Sequence, residues 1–254
     1  MNVDHISASR IKTFEQCQLK YWAIYIAKLP ESPPHPNTRM GSAVHTMMEE
    51  STNARIKNLD DKTHHDPMSW INQAVQEHKV DNNLIPTIVE LVGNAQRWGY
   101  FRNIKKTAGC ELEIGFKLPD GTDVTGFIDR LDVMSPDADI IDLKTQKNVF
   151  DDDELKENWQ SKIYNIGARK LFPEITGSAS VSFWVLRHQV QRVILSARDA
   201  EEDIQRIQDQ VSKIKACENP SASPSPLCQW CPNEKGCKAA NGNARDRLRG
   251  MTRK

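Results

Sequence analysis

Nowhere in these 254 residues does an apolar run approach the ~18 residues that a membrane span requires. The first residues, Met1-Asn2-Val3-Asp4-His5, lack the basic-then-apolar layout of a secretory signal, so a cytoplasmic protein is expected. A surplus of either charge is also missing: 34 Lys and Arg stand against 34 Asp and Glu. That balance excludes a protein that coats nucleic acid by bulk charge, while leaving room for a local basic path. There is no internal repeat and no Gly-x4-Gly-Lys-Ser/Thr phosphate loop, hence no visible motor in this chain. Cysteine is scarce. The six residues, at 17, 110, 217, 228, 231 and 237, are too sparse for a disulfide framework and suit a reducing compartment. What is present, 38% hydrophobic and 27% charged, excludes disorder throughout and supports one large domain or a core with an appendage.

Apolar spacing predicts an opening helix over residues 9–26, with Ser7 or Ser9 as N-cap and Ile11, Phe14, Tyr21 and Tyr25 at helical intervals. Glu31-Ser32-Pro33-Pro34-His35-Pro36 reads as a loop. Helices are expected over 41–56, 67–79 and 84–104, which makes 42–104 a mostly helical block. The period then becomes two. Residues 111–118 alternate, Pro119-Asp120-Gly121 signals a turn, and 122–134 alternate again, as in a β-hairpin. Asp139-Ile140-Ile141-Asp142-Leu143-Lys144-Thr145 has the short, apolar, β-branched character of a buried strand. A helix over 153–171, strands over 178–187 and 190–196, and a helix over 199–217 complete a mixed α/β domain. Asn219-Pro220-Ser221-Ala222-Ser223-Pro224-Ser225-Pro226 is a stiff polar linker.

The hairpin and the strand after it carry charge where burial makes charge costly. Alternation puts Asp129 and Leu131 on one face and Ile128, Arg130 and Asp132 on the other. It also puts Asp142 and Lys144 together on one face of an apolar strand. Such a pair must either neutralise itself, the plain structural reading, or bind a metal. Phosphodiester hydrolysis needs divalent cations held by carboxylates and a group that handles water. Asp129 and Asp142 could hold Mg2+ or Mn2+ through oxygen, with His45 as a nitrogen ligand favouring Mn2+ and Lys144 beside the attacking water. Glu113 could add an acidic ligand, with Glu111 on the same face competing for the role. Taken singly, His45 reads as a structural histidine.

Plainer readings apply elsewhere. His64-His65-Asp66 is a polar loop with Asp66-Pro67 as a helix start, and Asp151-Asp152-Asp153-Glu154 is an acidic helix N-terminus. Trp98, Tyr100 and Phe101 have core spacing, with base stacking as the alternative. Cys228-x2-Cys231-x5-Cys237 crowds three thiols into ten residues, the way soft ligands are presented to a metal, and leaves a fourth to come from elsewhere.

Together these residues resemble the PD-(D/E)XK nuclease superfamily. Gly41-x3-His45, Gly126-Phe127-Ile128-Asp129-Arg130, Ile141-Asp142-Leu143-Lys144-Thr145 and Gln160-x3-Tyr164 appear in the order of RecB-type nucleases. Ser7, Ser9, Phe14 and Cys17, with the C-terminal cysteine box, are similar to the iron–sulfur RecB-like exonucleases. Those include the CRISPR-associated exonuclease, phage relatives and the AddB nuclease domain. The resemblance runs from Ser7 to Cys237, and Gln18 departs from it where relatives commonly carry Pro.

The resemblance implies a restriction-endonuclease-like α/β core with an inserted helical block. It implies His45, Asp129, Asp142 and the Leu143 carbonyl as metal ligands, Lys144 as the catalytic lysine, and Gln160 and Tyr164 as bracing or DNA-contacting residues. Cys17 becomes the fourth thiolate. Closing a loop that long costs on the order of 5 kcal/mol, against ~10 kcal/mol or more from multi-thiolate metal binding. Spacing does not separate zinc from a [4Fe–4S] cluster; the resemblance favours the cluster.

The expected layout is an N-terminal helix over 1–30 with the first cluster cysteine, a helical subdomain over 40–105, a nuclease core over 106–217, and linker, cysteine box and basic tail over 218–254. The expected activity is a metal-dependent exonuclease on single-stranded DNA or DNA ends, in bacterial or phage-host cytoplasm. It would work in recombination, repair, phage DNA processing or CRISPR-type adaptation, with a helicase or recombination or adaptation protein as partner. A non-catalytic DNA-binding assembly factor and a zinc-stabilised endonuclease are the alternatives. Charge is segregated: 137–158 hold eight acids and three bases, and 235–254 hold seven bases and one acid.

Overall fold

The structure, a computed structural model, describes residues 1, 3–30, 33–57 and 65–239. Glu31, Ser32, His64 and most of the basic tail, 240–254, lie outside the described residues. The chain divides into two compact units, one formed by 1–33, 117–124 and 204–254 and the other by 34–116 and 125–203. No helix among the described residues is long and apolar enough to cross a membrane.

The first unit opens with β1 (His5–Ile6) and α1 (Ala8–Gln16), which Ser7 caps through its side chain. The expected single helix over 9–26 breaks at Cys17, whose backbone is extended at φ −166° and ψ 112°. Cys17 then caps α2 (Gln18–Tyr21), and one π-helical turn, Trp22–Ile26, follows. The apolar spacing is the same on both sides of the break, so periodicity conceals it.

The second unit begins with α3 (Pro36–Lys57). It starts five residues earlier than expected, because proline is tolerated in a helix's first turn, where its missing N–H has no partner to lose. After a 3-10 turn over Pro67–Trp70 come α4 (Ile71–Glu77) and α5 (Ile85–Arg97). The latter stops short of the expected 104 because Gly99 takes φ +86°. Strands β2 (Thr107–Lys117), β3 (Asp123–Met134) and β4 (Asp137–Lys144) follow. The helix expected over 153–171 is two, α6 (Asp152–Lys156) and α7 (Trp159–Leu171), because the Asn158 side chain caps a new helix by accepting the Gln160 N–H. Then come β5 (Ala179–Val185) and β6 (Gln189–Leu195); α8 (Ala197–Ala216) starts in this unit and belongs to the first from residue 204 on.

Strand order in the sheet explains the sequence pattern. β2 pairs with β3; β3 and β4 are antiparallel, with Arg130 opposite Ile141. β4 and β5 are parallel, with Asp142 opposite Phe183, so the chain must cross over between them, and α6 and α7 make that crossover. β5 and β6 are antiparallel. A central strand covered on both sides favours apolar residues, as at Ala138, Ile140, Ile141 and Leu143 of β4, and against these the charges of Asp142 and Lys144 stand out. One core joins Met40, Val44, Met48, Leu91 and Tyr100 of the helical block to Ile141, Leu143, Trp184 and Leu186. In the first unit, β1 runs parallel to the start of β3, His5 opposite Asp123.

Candidate active site

The buried face of α3 brings His45 to its margin, beside the fully buried Val44 and Met48. Gly41 lies one turn earlier, where a Cβ would sit 2.9 Å from Thr145 Oγ1, so only glycine lets the helix approach the end of β4 this closely. His45 Nε2 is then 3.0 Å from the Leu143 carbonyl oxygen. Its Nδ1 is 3.4 Å from Asp129 Oδ1 and 3.9 Å from Glu111 Oε1. Asp129 Oδ2 accepts the Leu143 N–H at 2.6 Å. Ligand atoms of His45, Glu111 and Asp129 all fall within 4.8 Å of one another.

Asp142 stands in a second, adjoining cluster. It is 2% exposed. Its Oδ2 lies 2.7 Å from Lys144 Nζ, and its Oδ1 accepts the Tyr164 hydroxyl and the Gln160 side-chain N–H, each at 3.2 Å. Lys144 donates to Gln160 Oε1 at 2.8 Å, and Gln160 Nε2 to the Tyr164 hydroxyl at 3.0 Å. Gln160 and Tyr164 reach this pair together because they are one helical turn apart on α7.

Glu113 does not join either cluster: its place on β2 is exposed, and Glu111 converges instead. In a regular strand the two would share a face. Glu111, however, takes φ +45°, in the left-handed region, and this breaks the alternation. A non-glycine residue there costs on the order of 1 kcal/mol. No residue spacing discloses such a break, so the sequence put Glu113 forward as the ligand, with Glu111 only as its competitor.

The electrostatics favour a cation. Burial alone would lower the His45 pKa, but Asp129, with Glu111 and Asp142, outweighs it and raises the value to about 10. Burial pushes the Asp142 carboxyl above its ordinary range; the Lys144 ammonium opposes this and the Asp129 charge adds to it. Burial likewise keeps Tyr164 a phenol. Without a metal, therefore, a protonated imidazole and a lysine supply the positive charge that three carboxylates demand. Two carboxylates and an imidazole form a donor set that fits Mg2+ or Mn2+. With Nε2–H on the Leu143 carbonyl, loss of the other ring proton aims the Nδ1 lone pair at those carboxylates.

A third cluster lies in the first unit, where Cys17, Cys228, Cys231 and Cys237 line one cavity. Cys17 Sγ accepts the N–H groups of Lys20 and Ser223, each at 3.4 Å, and Cys228 Sγ that of Ser225 at 3.3 Å. Such bonds stabilise thiolates. Burial pushes the Cys231 thiol up, and the proximity of Cys17 and Cys228 adds to it. Gln18 Oε1 accepts the Ser221 N–H at 3.1 Å and its hydroxyl at 3.0 Å, so the residue that departs from proline joins the two cysteine-bearing segments. Cys110 is apart from this set, its thiol raised to about 12 by burial.

Three comparisons with known proteins bear on this arrangement. A sequence profile of the PD-(D/E)XK nuclease superfamily matches residues 5–238. Among curated proteins no sequence match is found. A solved structure from Eubacterium rectale, described as a "putative exonuclease", is 13% identical, with a TM-score of 0.55 over 94% of this chain and 88% of that one. At that identity the likeness shows the fold. The structure of SSO0001 aligns with 78% of this chain and 85% of its own, at 12% identity and a TM-score of 0.36. The profile match spans nearly the whole chain and takes in every strand and helix that carries the clustered carboxylates, histidine and lysine. This chain belongs to the PD-(D/E)XK nuclease superfamily and is a metal-dependent nuclease.

Proposed function

We propose that this protein is an exonuclease that hydrolyses phosphodiester bonds of single-stranded DNA or DNA ends. The convergence of His45, Glu111 and Asp129 beside the Asp142–Lys144 pair carries this reading. The likeness to the Eubacterium rectale protein described as an exonuclease supports the finer assignment. A divalent cation bound by His45, Asp129, Glu111 and, once Lys144 turns to substrate, Asp142 would supply a Lewis acid and an acidified water.

The chain's own groups do the rest. Lys144 donates one N–H to Gln160 and stands 2.7 Å from Asp142 Oδ2 as an ion pair, which leaves N–H groups for the attacking water or a phosphate oxygen. Gln160 and Tyr164 fix the carboxylate that orients this lysine. The Leu143 N–H holds Asp129 in the rotamer that faces His45. The four thiols would carry a structural [4Fe–4S] cluster, a reading supported by their shared cavity and the N–H groups aimed at two of the sulfurs. Work in recombination, repair or adaptation beside a helicase fits a chain without a phosphate loop of its own.

End-labelled single- and double-stranded DNA with Mg2+ or Mn2+ provides the test. Wild type should release nucleotides progressively from an end, and Lys144→Ala should lose about 100-fold or more in kcat. A Lys144→Ala protein that cuts like wild type overturns the mechanism; internal cuts in circular single strands overturn the exonuclease assignment. Protein purified without oxygen should contain iron and sulfide. Zinc in their place would convert the cluster into a zinc site.

A further inference from the structure

The turn after β5 is stitched to the loop after β4 by three consecutive residues. The Leu186 N–H donates to the Lys144 carbonyl at 2.8 Å. Arg187 Nε donates to the Thr145 carbonyl at 3.0 Å, and His188 Nε2 meets the Lys147 carbonyl. The middle contact uses one of the three guanidinium nitrogens. Among the described residues, Nη1 and Nη2 of Arg187 have no hydrogen-bond acceptor and no carboxylate at ion-pair distance. By contrast, Arg130 and Arg198 in the same unit each find an acid, Asp132 and Glu202.

Pinning Nε to the backbone restricts this half-buried side chain before any ligand arrives and leaves a planar fork of N–H groups without a partner. Such a fork matches the oxygens of a phosphate. Its anchor, Thr145, is the residue after Lys144, so the fork is held one residue from the lysine at the site. Leu186 fastens the same turn to Lys144 itself.

We infer that Arg187 is a phosphate subsite, its Nη1 and Nη2 gripping the DNA backbone phosphate next to the scissile one. The inference rests on the nuclease reading of Lys144 and its neighbours. Arg187 touches no base, so it fixes register on the strand without reading sequence. It is a binding group that sets where the strand lies, while Lys144 and the carboxylates act on the reacting phosphate.

Anisotropy of labelled single-stranded DNA in metal-free buffer, over a range of salt, tests this with full-length protein. Arg187→Gln should weaken binding about tenfold for unrelated sequences alike, and lower the slope of log affinity against log salt by about 0.7. With Mn2+ it should raise KM more than it lowers kcat, and oligonucleotides with and without a 5′-phosphate should respond equally. Arg187→Lys should recover the salt slope but only part of the affinity, because the charge returns without the fork. Unchanged slope and KM in Arg187→Gln overturn the subsite. If Arg187→Gln melts early, Arg187→Lys decides, and a full return to wild-type KM overturns the fork. Wild type that neither binds nor cuts DNA overturns the nuclease reading instead.

Discussion

His45 sits between two carboxylates, Asp129 and Glu111, and keeps its proton up to about pH 10 without a metal. Its ordinary value is 6.5, so the folded-state pKa is raised. The resulting stabilisation of metal-free protein is complete below pH 6.5 and is lost as the pH climbs toward 10. An imidazole must be neutral to ligate a metal, so binding through His45 must expel this proton. Calorimetry with Mn2+ in buffers of different ionisation enthalpy should register about one proton released at neutral pH, and none from His45→Gln. Apparent Mn2+ affinity should rise with pH up to about 10. Binding without proton release would mean that His45 is not a ligand. The Asp142–Lys144 pair was legible in the sequence because strand alternation puts both on one face, whereas His45, alone on a helix, was singled out by the motif order of the resemblance. Glu111 was not separable from Glu113, since a left-handed residue inside a strand leaves no mark on the pattern. Arg187 was not legible at all, because an unpaired guanidinium is defined by what surrounds it in space.

At the scale of elements, α7 does two things with one surface: it braces Asp142 through Gln160 and Tyr164, and it packs on β2 through Gly167. A Cβ at Gly167 would come within 2.7 Å of the Ile114 Cβ, so the helix sits as close as a bare backbone permits. Gly167→Val should push α7 outward, at a stability cost of about 1–3 kcal/mol. Because the bracing residues ride on the same helix, kcat should fall about tenfold while KM for DNA stays close to wild type. Steady-state kinetics with a thermal melt checks this; a lower melting temperature with unchanged kcat would show that the bracing tolerates the shift. The mixed order of helices and strands was readable from the change of period at β2. Breaks were harder, because helix ends are set by local hydrogen bonds. Asn158 starts a new helix with its own side chain, and Cys17 interrupts a continuous apolar spacing with a single extended residue.

For the whole molecule, neutrality conceals ties between distant parts of the chain. In the first unit Lys215 Nζ holds Asp120 Oδ2 at 2.8 Å and Thr122 Oγ1 at 2.6 Å, fastening the β2–β3 turn to the end of α8. The bond to Lys215 first, then those to Gln208 and Thr122, hold the Asp120 carboxyl well below its ordinary range. A depressed carboxylate contributes stability above its ordinary pKa and loses it as the pH falls through the folded value. Lys215→Met should therefore bring this loss to higher pH, read as faster amide exchange at Gly121 and Thr122 on acidification. Identical exchange profiles in the two proteins would rule the tie out.

The split of the thiols between Cys17 and the 228–237 segment has a consequence in time. Cys17 leaves the ribosome 211 residues ahead of Cys228, the first of its three companions. At about 5–20 residues per second, it waits roughly 10–40 seconds as a solitary thiol. All residues from His45 to Tyr164 emerge in that interval. A growing chain therefore carries His45, Asp129, Asp142 and Lys144 before its four thiols can meet, and until they do Cys17 is open to other thiols.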